Sequence, residues 1–241
     1  MRIYLDNCCF NRPYDDQTFD IIRLETEAKI FVQDCIKDNR IELVWSFILD
    51  FENSANPYRE RRESIKEWRS VSAEDIKATE KIRNYANELQ NLYGIKPKDS
   101  IHLACAIKAE SEYFLTTDKI LITYMAVTSA TTKIETLIIP VFWTEFHIKK
   151  SKAFKRNQSN ESIGIYYFIG GNMRTDTIII YEGVKALREK LDIVETEKFI
   201  SLILRENFDY TEWQRNLWKD KTVDEIFYAA KNYDENIKKE G

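Results

Sequence analysis

Glycine, proline and histidine are scarce in this chain of 241 residues, at six, four and two. So little glycine and proline excludes a low-complexity chain and argues against an all-β fold built on many tight turns. The four cysteines, Cys8, Cys9, Cys35 and Cys105, are scattered with no C-x-x-C pair. That spacing indicates neither a zinc ribbon nor a disulfide framework. Small buried thiols in a reduced, cytoplasmic setting are the expectation. No apolar run approaches the ~18 residues that span a bilayer. Acids and arginines follow the first apolar stretch at once, so neither a membrane segment nor a secretory leader is expected. Positive charge is not in excess: the net charge is −4 and the pI about 5.5. Broad, nonspecific affinity for nucleic acid is therefore not expected, although a local basic groove is not excluded.

What is present is a core. Apolar residues make up 44% and aromatics 13% of the chain, enough for one large domain or two small ones. Charge divides the chain in three: residues 1–148 carry −5, residues 149–172 carry +4 and residues 173–241 carry −3. In the first part, short apolar strands are predicted at 2–5, 41–46, 113–116 and 136–142. Helical patterns lie between them at 17–37, at 73–92 after a Ser72 cap and ending before Gly94, and at 98–110. Strands separated by helices predict an α/β domain with a central parallel sheet of four or five strands and right-handed crossovers. The Arg/Glu-rich run 59–69 reads as a solvated helix face or, as the lesser alternative, an RNA-backbone contact.

The third part is helical in pattern. Asp192-x-x-Glu195, Asp209-x-x-Glu212 and Thr222-x-x-Glu225 match a capping box and predict helices near 193–205, 210–218 and 223–232, with an earlier one over 175–190. About 69 residues with this much aromatic surface form a small all-α domain, or need a partner surface to cover them. The basic join at 149–172 reads as a linker. A purine-rich choice of codons would make it a translated spacer, with Met173 a former start codon.

The acids show a pattern relative to strand ends. Asp6 ends the first strand. Glu52 lies just beyond the second, Asp99 opens the helix that leads to the third, and Asp118 follows the third. All four can converge on the carboxyl edge of one parallel sheet, where open α/β sheets place their ligands. Four carboxylates gathered there repel one another, and a hard divalent cation resolves the conflict. Mg²⁺ or Mn²⁺ in such a place supports hydrolysis of a phosphodiester without a nucleophilic side chain. Asp50 competes with Glu52, but two positions apart on a helix they point about 200° away from each other, so only one faces the site. Asn7 and Asn11 are either mouth residues that bind water or phosphate, or turn formers. Arg12 either meets the substrate backbone or pairs with Asp15 or Asp16. His102, one turn after Asp99 on the same helical face, either reaches the site or, the more ordinary reading, is a hydrogen-bonded core histidine.

The words LDNCCFNRP, WSFILDFENSANP, KPKDSIHLACA and FLTTD together resemble a PIN domain, most closely the VapC-like ribonuclease toxins of VapBC-type toxin–antitoxin pairs, over about residues 1–145. The resemblance implies a three-layer α/β fold. It implies that Asp6, Glu52, Asp99 and Asp118 are the catalytic, metal-binding acids, with Mg²⁺ or Mn²⁺ as cofactor. It implies that Thr116 is the hydroxyl residue of the T-x-D strand end, that RNA is the substrate and that the PIN-like domain pairs as a homodimer. Residues 173–241 resemble small helical proteins encoded beside PIN-type toxins, which look like their antitoxins. An inhibitory segment in cis is then implied, with Arg205 or Arg215 as cations that reach the acidic site. The rival expectation is a catalytically silent module that binds RNA or its own helical partner.

Overall fold

The structure is a computed structural model and describes residues 1–122, 134–138, 142, 190 and 209–240. Five strands, β1 (Arg2–Leu5), β2 (Glu42–Ser46), β3 (Glu74–Ile76), β4 (Tyr113–Thr116) and β5 (Glu135–Ile138), form one parallel sheet in the order β3-β2-β1-β4-β5. The three central strands are buried rather than alternating: every residue of β4 is buried, as are all but the first of β1 and of β2. That pattern belongs to a parallel sheet covered on both faces. In the register, Ile3 lies between Leu43 and Tyr113, and Leu5 pairs with Leu115.

The chain lays β2 and then β3 outward on one side of β1, and returns to place β4 on its other side. The direction of winding thus changes between β1 and β4, and a crevice opens beyond their carboxyl ends. The residues that follow those two strands, Asp6 and Thr117–Asp118, stand at that crevice.

The helices follow from periodicity and caps. They are α1 (Asn7–Asn11), α2 (Asp20–Lys37), α3 (Phe47–Ser54), α4 (Arg59–Lys66), α5 (Glu80–Tyr93), α6 (Pro97–Lys108), α7 (Tyr210–Gln214) and α8 (Val223–Glu240). Pro97 opens α6 at the first helical position, where its missing N–H costs nothing. Helix α5 ends at Gly94, whose φ of 68° is in the left-handed region that a glycine supplies cheaply. The helix predicted from 73 is corrected: residues 74–76 pair with β2 as an edge strand, and the cap is Thr79, whose Oγ1 accepts from the Ile82 amide. Ser72 instead donates to the Arg69 carbonyl.

The described part of the tail is not a separate helical domain. Phe208–Gly241 forms one compact unit with Met1–Phe146, and His147–Asn207 forms the other. The boundary expected at 149–172 and the all-α domain expected at 173–241 give way to this division because the apolar tail faces are spent on the first part. Helix α8 starts in a full capping box, with Glu225 accepting from the Thr222 amide at 2.7 Å and Thr222 Oγ1 accepting from the Glu225 amide at 3.2 Å. Its buried stripe, Val223, Ile226, Phe227 and Ala230, lies against α3, α5 and α6. Phe227 meets Phe47 edge-on with centroids 5.5 Å apart, and Trp218 stacks on Phe51 at 4.5 Å. The linker 149–172, the helices expected at 175–190 and 193–205, Arg205, and residues 139–141 of the fourth predicted strand lie outside the described residues, apart from Lys190 in a helix. Among the described residues no helix is long and apolar enough to cross a membrane.

Phe227→Ala is expected to lower the stability of the whole first unit by about 3–5 kcal/mol, the usual cost of emptying a buried aromatic site. Denaturant unfolding followed at Trp45, in the strand core, checks this. An unchanged midpoint there would mean that α8 is not part of that core.

Candidate metal centre

Asp6 ends β1 because it starts α1: its Oδ1 accepts from the Asn7 amide at 2.7 Å as the N-cap. Its Oδ2 accepts from Thr116 Oγ1 at 2.8 Å and from Cys8 Sγ at 3.1 Å. Thr116 Oγ1 also accepts from the Asp118 amide at 3.0 Å, so one hydroxyl ties the ends of β1 and β4 together. Asp6 is 2% exposed and Glu52 fully buried.

Glu52 is delivered by α3, which begins directly at the end of β2. It faces inward with both oxygens engaged. Oε1 accepts from Lys98 Nζ at 2.8 Å and from the Tyr210 hydroxyl at 3.4 Å. Oε2 lies 2.8 Å from His102 Nε2. The other ring nitrogen of His102 lies 2.8 Å from the Tyr4 hydroxyl, which in turn is 2.7 Å from Ser46 Oγ. The chain Ser46–Tyr4–His102–Glu52 fixes the carboxylate in place, as partners behind a metal ligand commonly do. Asp50 faces elsewhere and pairs with Arg69 at 2.6 Å.

Ligand-type atoms of Asp6, Glu52 and His102 lie within 4.8 Å of one another, the one such group among the described residues. Asp99 and Asp118 stand outside that close group. They line an adjoining cleft of about 90 Å³ together with Lys98, Gln214, Arg215 and Trp218. Asp99, on the first turn of α6, is 3.7 Å from Lys98 Nζ. Asp118 meets Arg215 Nη2 at 3.5 Å.

The electrostatics differ between neighbours. Burial would push Glu52 up, but Lys98 and His102 outweigh it and hold the carboxyl down to about 2. Burial, with the charges of Asp6 and Glu52, pushes Asp99 up to about 6 despite Lys98. A buried cluster of negative oxygens with one strained member suits a hard divalent cation. A second observation agrees: Asn7 Oδ1 is buried with no hydrogen-bond partner, beside Asp6 in the chain, while its Nδ2 donates to the Tyr210 hydroxyl at 2.6 Å.

The tail segment lies over this site. Besides Tyr210, Gln214 Oε1 accepts from Lys98 Nζ at 2.8 Å. The Thr211 and Thr117 hydroxyls are 3.1 Å apart. The Tyr210 amide donates to Asp15 Oδ1 at 3.0 Å. Asp209 caps α7 and also pairs with Arg12 at 3.2 Å. Arg12 is thus held by Asp209, Asp15 and Glu25, the last at 2.5 Å. Asn11 donates to the Asn7 carbonyl and accepts from Asn56, binding α1 to the segment after α3. Asn7 and Thr116 are therefore at the cluster, Arg12 and Asn11 beside it in structural roles.

Lys98, Tyr4, Tyr210 and Gln214 were not singled out in the sequence. Lys98 had a readable signal: it lies four residues before His102, on the same face of α6. A scan against protein-family models finds no match, and a search of curated proteins finds no relative.

Opposite signs are expected for two neighbouring substitutions. The depressed Glu52 contributes stability present above about 4.5 and lost as pH falls toward 2. Glu52→Gln therefore costs about 3–5 kcal/mol at pH 7, since it leaves Lys98 buried without its partner. The contribution of the raised Asp99 is present below about 3.8 and lost as pH rises through about 6. Asp99→Asn therefore gains about 1–3 kcal/mol at pH 7, and the gain vanishes by pH 4. Denaturant titrations between pH 3 and 8 measure both; shifts of the same sign at pH 7 would contradict this electrostatic reading.

Proposed function

We propose that the chain is a metal-dependent ribonuclease of the PIN-domain toxin type, of three-layer α/β architecture, whose own C-terminal segment sits over its acidic site as an inhibitor in cis. One observation carries the reading: at the crevice between β1 and β4, Asp6 and Glu52 are buried together while Asp99 and Asp118 line the adjoining cleft. The resemblance of the words around these residues to PIN domains supplies the substrate class. Mg²⁺ or Mn²⁺ would be held by Asp6 and Glu52, with Asp99 and Asp118 completing the oxygen set. When bound, such a cation supplies Lewis-acid stabilisation of the charge that builds on a scissile phosphodiester.

The chain's own residues do the rest. Thr116 and the Asn7 amide fix both oxygens of Asp6 before any ligand arrives, which is preorganisation of the kind catalysis needs. His102, held by Tyr4, orients Glu52. The cleft is also lined by Lys96 and Lys219, cations suited to a phosphate backbone. Arg215, on the segment covering the cleft, meets Asp118 where a metal or a phosphate would compete with it. The four cysteines are buried and form no disulfide, which accords with a reducing, cytoplasmic setting.

The full chain with Mg²⁺ or Mn²⁺ is expected to cleave RNA with single-stranded loops weakly. The Tyr210→Phe/Arg215→Ala pair, which loosens the segment and spares its core packing, is expected to cleave faster. Asp6→Asn in that background should reduce cleavage by about a hundredfold or more. Gel analysis of end-labelled RNA checks each. RNA retained but never cut, with either metal and by any variant, would replace the nuclease with a silent RNA-binding module.

A further inference from the structure

The acidic cluster already contains a cation. Lys98 Nζ is 2.8 Å from Glu52 Oε1, 3.7 Å from Asp99 Oδ1 and 2.8 Å from Gln214 Oε1, and its side chain is 7% exposed. Lys98 sits in the first turn of α6, where the helix dipole disfavours a positive charge. Its seat is therefore set by Glu52 and Asp99 rather than by the helix. An ammonium offers three donors and no acceptor. Two of its partners here are the oxygens of Glu52 and Gln214, one from the body of the fold and one from α7.

We propose that Lys98 occupies the place of a divalent cation in the cluster and that Gln214 latches it there, so that seating of α7 and binding of metal oppose each other. The inference rests on the reading of this cluster as a metal site. Glu52 Oε1 has both lone pairs engaged, by Lys98 and by the Tyr210 hydroxyl, and for it to reach a metal the ammonium, which a second cation repels, must give way. Both of those contacts are reinforced from α7, through Gln214 and through Tyr210 itself. When α7 lifts, Lys98 loses its second acceptor and gains water, and the cost of swinging its ammonium away from Glu52 falls. By linkage the effect is reciprocal: whatever metal does to α7, α7 does to metal affinity. The arrangement differs from inhibition by a cation on the covering segment alone, because the displaced charge belongs to the helix that carries Asp99 and His102.

The test uses the full chain, calorimetric titration with MnCl₂, and amide hydrogen exchange of residues 210–214. Two variants are compared with the parent: Lys98→Met, which keeps the stem and removes the charge, and Gln214→Leu, which leaves Lys98 with Glu52 and so guards against misfolding of the first. Manganese affinity is expected to rise about tenfold or more in Lys98→Met and by a smaller factor in Gln214→Leu. In the parent, manganese is expected to speed exchange of the α7 amides. Parent-like affinity in both variants, or α7 exchange indifferent to manganese, would overturn the Lys98 switch and leave the metal site standing. No manganese bound by the parent or by either variant would overturn the metal reading and the switch with it.

Discussion

Two carboxylates, Asp6 and Glu52, present oxygens within 4.8 Å of each other where almost no water reaches. At an effective dielectric of about 20, such a pair repels by roughly 3–4 kcal/mol. A lysine nitrogen at 2.8 Å attracts by about 6 kcal/mol on the same scale. Attraction wins at Glu52 and the carboxyl stays ionised. Asp99, farther from Lys98, is pushed up to about 6 by its burial first and by the charges of Asp6 and Glu52 second. Much of the local architecture follows from this conflict: the Ser46–Tyr4–His102 chain that steadies Glu52, the Thr116 hydroxyl and Asn7 amide that steady Asp6, and the tail that closes over both.

The sheet explains why the conflict arises there. Winding in opposite directions from β1 and β4 leaves a crevice at their carboxyl ends, where Asp6 follows β1 directly and Asp118 lies two residues past β4. Helices α3 and α6 bring Glu52 and Asp99 to the same rim. Covering that rim with α7 buries polar groups that need partners, and the tail supplies them: Tyr210 for Asn7 and Glu52, Gln214 for Lys98, Thr211 for Thr117, and Arg215 for Asp118. The same segment is anchored at both ends, by Asp209 on Arg12 and by Trp218 on Phe51. Cover of the acids and packing of the core are therefore joined in this stretch, which contacts both Glu52 and Phe51.

Much of this was legible in the sequence and some was not, for physical reasons. The four apolar runs announced strands because a parallel sheet buried on both faces needs continuous apolarity. β3 was missed because Glu74-Asp75-Ile76 is a three-residue edge strand with one buried side chain, too short for any period. The boxes at Asp209 and Thr222 marked helix starts correctly, since capping bonds are local: Asp209 accepts from the Thr211 and Glu212 amides, and Thr222 and Glu225 bond reciprocally. The extent of α8 was underestimated, as its later turns are polar outside the stripe. Placing the tail as a domain of its own failed because local pattern shows that a face is apolar and not which surface covers it. At the site, the two-residue spacing of Asp50 and Glu52 said that only one would face inward. Lys98 escaped notice because a lysine beside an aspartate usually reads as a solvated surface pair.

The most direct test of the central claim is anomalous diffraction at the manganese edge from crystals of the full chain grown with MnCl₂. A peak in contact with the Asp6 and Glu52 carboxyl groups, with the Lys98 ammonium moved off Glu52, is the predicted result. An ordered Asp6–Glu52 cluster with Lys98 still in place and no anomalous peak at saturating manganese would contradict it.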